Sequence, residues 1–138
     1  MKRLLSLVLF LSLISLVGCE DILECVINRR PELPDKSFKT GFTNQLYYEE
    51  FDAQIKNEPQ DNAYGYNFEI EGELPDGIEL FIDYRTLVFE GIPQSQGSFE
   101  FRLHLNVDPP LHYNEETEQY EDSMCSESTS RTYTITIN

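Results

Sequence analysis

The sequence predicts an all-β protein, an antiparallel β-sandwich of six to seven strands that follows a cleaved signal peptide. Three observations predict it. Apolar residues recur at every second position within short segments, and proline, glycine, asparagine and aspartate cluster between those segments. Beyond the opening apolar run, no stretch has a helical period. Composition agrees, with eight tyrosines, nine phenylalanines and no tryptophan, since aromatic side chains suit a pleated, half-buried surface.

The chain opens with Lys2 and Arg3, then runs apolar from Leu4 to Val17 with only serines as polar members. A basic start, an apolar core and small residues after it make residues 1–18 a secretory signal. A membrane-spanning helix needs ~20 apolar residues; this run is shorter and is closed by Glu20, Asp21 and Glu24. An A-x-A-like cleavage site is absent. Instead, Leu16-Val17-Gly18-Cys19 resembles the lipobox of bacterial lipoproteins. The resemblance implies cleavage before Cys19 and transfer of a diacylglyceryl group to its sulfur, often with a third chain on the new amino group. Two chains anchor a protein stably, at ~0.8 kcal/mol per buried CH₂. The implied location is the bacterial cell envelope, lipid-anchored to a membrane and facing the periplasm or the cell exterior.

Signal removal takes Lys2 and Arg3 from ten basic residues, leaving eight against 25 acidic ones, and the net charge moves from −15 to −17. Such a surface excludes nucleic acid and anionic lipid headgroups as electrostatic partners. The mature segment, about 120 residues, suits one domain with one core.

Residues 19–36 read as a tether, with Pro31, Pro34, mixed charge and little periodicity. The domain follows over residues 37–138. Tyr47, Phe51, Ala53 and Ile55 alternate in the first strand region, and Tyr64, Tyr66, Phe68 and Ile70 in the next. Ile78, Leu80 and Ile82 mark a third, and Leu87 and Phe89 a fourth. Phe99, Phe101, Leu103, Leu105 and Val107 form the cleanest alternation; Tyr133, Ile135 and Ile137 close the chain. Turn signals lie at Pro59 to Asn62, Pro75 to Gly77, Pro93 to Gly97 and Asp108 to Pro110.

The stretch from Leu74 to Leu105 resembles the bacterial cadherin-like, dystroglycan-type immunoglobulin-like domains. Leu74, Pro75, Gly77, Ile78 and Leu80 match their L-P-x-G block; Thr86, Phe89, Gly91 and Pro93 match the second block; Gly97, Phe99 and Phe101 match the third. The likeness extends over about Phe38 to Asn138 and implies an immunoglobulin-like, cadherin-like sandwich. Each match also has a local reason. Pro75 pushes Leu74 into an extended conformation, Gly77 can take the positive φ of a tight turn, and Gly91 permits close backbone approach. The pattern departs at Leu87, where the family has glycine after threonine, and this bears on the turn around Tyr84 to Thr86.

Between Asp108 and Arg131 lies an acidic loop, residues 108–131, far longer than a usual hairpin connection. Glu115, Glu116, Glu118, Glu121 and Asp122 are interleaved there with Tyr113 and Tyr120, a candidate recognition surface on a rigid scaffold. With Cys19 acylated, Cys25 and Cys125 remain as an even pair in an oxidising compartment. First and last strands of an immunoglobulin-like sandwich run side by side, so the resemblance implies a Cys25–Cys125 disulfide.

Catalytic constellations are missing. His104 falls on the polar side of its strand, His112 sits in the acidic loop away from any zinc-type partner, and no phosphate loop or nucleophile motif occurs. The expectation is therefore no enzyme and no required cofactor. Calcium is the one cofactor considered, because related cadherin-like domains use acids near strand ends; Asp61, Asp83 and Asp108, with Asn62, are its candidates. The leading expectation is a membrane-anchored lipoprotein displaying a single immunoglobulin-like domain for a protein or glycan partner. A structural or accessory subunit of an envelope assembly is the alternative, and a calcium-binding cadherin-like adhesion module a further one.

Overall fold

A computed structural model describes residues 29–115, 118–121 and 124–138. Ten strands follow in order: β1 (Arg30–Glu32), β2 (Tyr47–Asp52), β3 (Gln54–Lys56), β4 (Gly65–Gly72), β5 (Ile78–Asp83), β6 (Thr86–Gly91), β7 (Gly97–Asp108), β8 (His112–Asn114), β9 (Gln119–Glu121) and β10 (Ser128–Ile137). A single 3₁₀ turn, Asp61–Ala63, is the only helical element among the described residues. Six strands build two three-stranded antiparallel sheets, ordered β2-β6-β5 and β4-β7-β10, and the short ones pair as β1-β3 and β8-β9.

Alternation decides which faces meet. On β7, Phe101, Leu103, Leu105 and Val107 are buried, and on β10 so are Tyr133, Ile135 and Ile137. Their register, Phe101 opposite Tyr133 and Phe99 opposite Ile135, puts both sets on one face. From the other sheet, Tyr47, Phe51, Ile78, Leu87 and Phe89 complete the same core. Rings fill its centre. Phe38, on the segment leading into β2, packs edge-on against Phe51, Phe89, Phe101 and Tyr133 at centroid distances of 6.1, 5.0, 6.0 and 5.7 Å. It touches rings from both sheets, so it joins them.

Several sequence expectations are revised. Residues 29–36, the far part of the expected tether, pack on the domain. Arg30–Glu32 pairs with β3, Leu33 is buried at 2% exposure, and the Tyr133 hydroxyl donates to the Pro34 carbonyl at 2.8 Å. Alternation through Ala53 to Ile55 is correct in phase, but the chain leaves β2 there and passes to the β1–β3 pair. Ser128 to Arg131, assigned to the acidic loop, belong to β10. What remains of that loop carries its own hairpin, β8–β9, with Tyr113 opposite Tyr120. Ile70 and Ile82 lie in phase with the core yet are 40% and 47% exposed.

Gly41 bridges Ile137 in parallel and exchanges backbone hydrogen bonds with Thr136 and Asn138, each at 2.9 Å. This segment therefore shields the free edge of β10 near its end. At the opposite pole, Arg29 forms a parallel bridge with Met124.

Candidate binding surfaces

The pole that carries Arg29 gathers several of the described residues singled out by sequence. Arg29 contacts Glu58 at 2.9 Å, and the Tyr64 hydroxyl donates to the same carboxylate at 3.2 Å. The 3₁₀ turn and the β5–β6 turn meet here. Tyr84, at a φ of 56°, donates its hydroxyl to the Tyr64 carbonyl at 2.6 Å and the Asn62 carbonyl at 3.0 Å. Those bonds hold a bulky residue in the left-handed region, which non-glycine residues avoid. They also answer the departure at Leu87: the turn is held through Tyr84 and needs no glycine after Thr86.

The calcium candidates are not arranged as one ligand set. Asp61 is buried, pairs with the Arg85 guanidinium, and accepts the Ile55 N–H at 3.3 Å. Its charge is already balanced. Asp108 accepts from the Asn67 amide at 2.8 Å, and Asp83 is exposed opposite Thr86. Among the described residues, no group of three or more His, Cys, Asp or Glu side chains converges.

On the β8–β9 hairpin, Tyr113 is 54% exposed, and Glu115 and Glu118 are exposed in its turn. Tyr120 and Glu121 lie on β9, whereas Glu116 and Asp122 fall outside the described residues. Cys125 is half-buried between this hairpin and β10, with its N–H donating to the Arg29 carbonyl at 3.0 Å. Cys19 and Cys25 lie outside the described residues.

The outer face of β4-β7-β10 is polar. Glu69, His104, Asn106, Ser128, Thr129 and Ser130 line a shallow concavity of about 430 Å³. His104 faces outward as expected and lies 3.3 Å from the Glu71 carboxylate. At the pole far from Arg29, Phe42, Leu46 and Ile92 are exposed at 51%, 78% and 52%. Leu46 and Ile92 sit one step beyond the Tyr47–Gly91 pair, which places them side by side.

Sequence reasoning missed Glu49. It occupies a core-facing position of β2, 4% exposed, and its carboxylate meets Lys36 at 2.6 Å and Lys39 at 2.9 Å. Burial works to raise the carboxyl, but hydrogen bonds and charge from the two lysines outweigh it and hold the group below its ordinary range. The signal was its phase, since position 49 alternates with Tyr47 and Phe51. This triad fastens the Lys36–Lys39 segment, and with it Phe38, to the sandwich.

Neither a protein-family model nor a curated protein matches the chain. Among solved structures, an endo-fucoidan hydrolase from glycoside hydrolase family 107 is similar over 81% of this chain and 14% of that one. The identity is 14% and the TM-score 0.48. This chain thus spans a small fraction of that enzyme's length, and a likeness of this degree transfers neither fold nor activity.

Proposed function

We propose that the protein is a membrane-anchored bacterial lipoprotein displaying a single immunoglobulin-like domain that binds a protein or glycan partner, and that it is not an enzyme. The observation that carries the anchor is Leu16-Val17-Gly18-Cys19 directly behind the apolar run Leu4 to Val17. In this reading Cys19 bears the lipid, and the pole around Arg29 faces the membrane. The strongly acidic chain would be repelled from anionic headgroups, and with Cys25 tied to Cys125 only the short acidic step from Cys19 to Cys25 would separate lipid from domain.

The immunoglobulin-like assignment is supported by strand order. Constant-type domains place strands B, E and D in one sheet and C, F and G in the other. Taking β2 as B, β4 as C, β5 as D, β6 as E, β7 as F and β10 as G reproduces both sheets. Antibody domains centre their core on a tryptophan and a disulfide; here the rings of Phe38, Phe51, Phe89, Phe101 and Tyr133 take that place. A Cys25–Cys125 disulfide belongs to the same proposal, because the Arg29–Cys125 backbone bond brings the chain within four residues of Cys25 to the Cys125 backbone.

Labelling with radioactive palmitate in a bacterial host tests the anchor. The wild-type chain is expected to take up label and fractionate with membranes, and Cys19→Ser is expected to do neither. Equal membrane retention of both, without label, would reject the lipoprotein assignment.

A further inference from the structure

The sandwich is open along one side. β4 and β5 are end strands of their sheets. Each therefore presents a row of backbone groups with no neighbouring strand among the described residues. Phe68 and Ile70 on β4 lie opposite Leu105 and Leu103, and Leu80 and Ile82 on β5 lie opposite Phe89 and Leu87. Directly paired residues project from the same face of a sheet, so all four point toward the core. The partners Leu103, Leu105, Leu87 and Phe89 are fully buried at 0%, yet Ile70 and Ile82 are 40% and 47% exposed. The core is thus uncovered between its two edge strands.

Both ends of this opening are closed. Tyr66 and Tyr84 meet edge to face at 5.2 Å at one end. The turn carrying Leu74 and buried Pro75 closes the other. Between them run the edges of β4 and β5, unpaired among the described residues, with Ile70 and Ile82 exposed and Phe68 and Leu80 packed against the core behind them.

Charge narrows what can occupy it. From Gly65 to Tyr84 the chain carries six acids, Glu69, Glu71, Glu73, Asp76, Glu79 and Asp83, and no lysine or arginine. Glu69 and Glu71 alternate with Phe68 and Ile70 on β4 and face His104 and Arg102 on the β7 side, so a strand added at the open edge sets its own outward residues on their other side. A second copy pairing β4 to β4 would align acids with acids, and like charges across a strand pair are destabilising. Acidic side chains on an edge also guard against unselective pairing. A basic guest reverses that sign.

We propose that this side is a docking groove for an extended segment of a partner protein, which adds to β4 as a strand. Apolar side chains at alternate positions enter between β4 and β5, and lysine or arginine at the intervening positions lies beside Glu69 and Glu71. Main-chain bonding supplies affinity in strand addition, and the alternate side chains supply selectivity. The inference rests on the binding-module part of the proposed function and is independent of the lipid anchor.

The test uses the full chain in mild detergent and a labelled synthetic peptide alternating valine and lysine, read by fluorescence anisotropy. Saturable binding that weakens with salt is expected. Ile70→Asp, and separately Glu69→Lys with Glu71→Lys, should each weaken it at least about tenfold, with circular dichroism and melting temperature confirming the fold. N-methylating the peptide amides along one edge should abolish binding, whereas methylation of the other edge should not. A Val-Glu peptide should not bind, and Thr134→Lys on β10, the far edge strand of the same sheet, should leave affinity unchanged. The groove is rejected by absence of binding, by indifference to N-methylation, or by a dimer in sedimentation that Ile70→Asp dissolves. Partner binding mapped instead to the β8–β9 hairpin or the Phe42–Leu46 pole would reject the groove while leaving the binding-module reading intact.

Discussion

Glu49 occupies a position that alternation reserves for apolar side chains, and it is tolerated because two lysines reach it. Charge-assisted hydrogen bonds are worth about 1.5–3 kcal/mol each when the acceptor is buried, so Glu49→Gln should lower stability by about that much at neutral pH. The acid limb carries a second signature. The folded carboxyl titrates below its unfolded value, so its contribution is complete above the unfolded pKa of about 4.3. It is then lost as pH falls through the lower folded value. Chemical denaturation at a series of pH values should show the wild type losing its advantage over Glu49→Gln below about pH 4. A constant gap between the two curves across that range would show that the ion pairs do not stabilise the fold. The site escaped sequence reading because its partners precede it by more than a strand's length and because glutamate counts as polar in any alternation pattern.

The two glycines of the family-like motif illustrate how an element encodes a contact between distant positions. Gly77 precedes β5 and Gly91 ends β6, and Ile78 pairs with Gly91. A Cβ built on Gly91 would lie 1.9 Å from the Gly77 carbonyl oxygen, and one on Gly77 would lie 2.2 Å from the Ile92 carbonyl oxygen. Both also have positive φ, 87° at Gly77 and 150° at Gly91. Gly91→Ala should therefore cost about 3 kcal/mol, the upper part of the range for backbone strain, measured by urea denaturation. A loss below about 1 kcal/mol would mean the β5–β6 end relaxes freely. Strands whose inner face is fully covered were legible residue by residue: every alternating apolar position predicted on β10, and those from Phe101 to Val107 on β7, is buried. The edge strands were legible in phase but not in depth. Period-two patterning reports which way Ile70 and Ile82 point, and whether an opposing sheet covers them depends on strand order. Likewise, β1 and the β8–β9 hairpin are three-residue elements, too short to carry a period.

For the molecule as a whole, the end that carries Arg29 matters most, because Met124 and Cys125, which follow the acidic hairpin, bond to Arg29 there and the proposed anchor and disulfide would join the domain at this end. The backbone bond from Cys125 to Arg29 and the Arg29–Glu58 pair already hold that end together in the folded state. A Cys25–Cys125 bridge would therefore act chiefly on the unfolded chain, by closing a loop of about 100 residues, worth up to about 4.7 kcal/mol in the chain-entropy model. Two consequences distinguish this from a local packing effect. Reduction should lower the denaturation midpoint, and it should raise the denaturant slope, because an uncrosslinked chain exposes more surface on unfolding. Cys125→Ser should reproduce both changes and make the protein insensitive to reductant. Thiol labelling of the unfolded, unreduced protein provides the direct check. Labelling of both Cys25 and Cys125 would exclude the bridge, and the segment from Arg29 to Pro34 would then be held by its noncovalent contacts, the Arg29–Glu58 pair and the β1–β3 pairing among them.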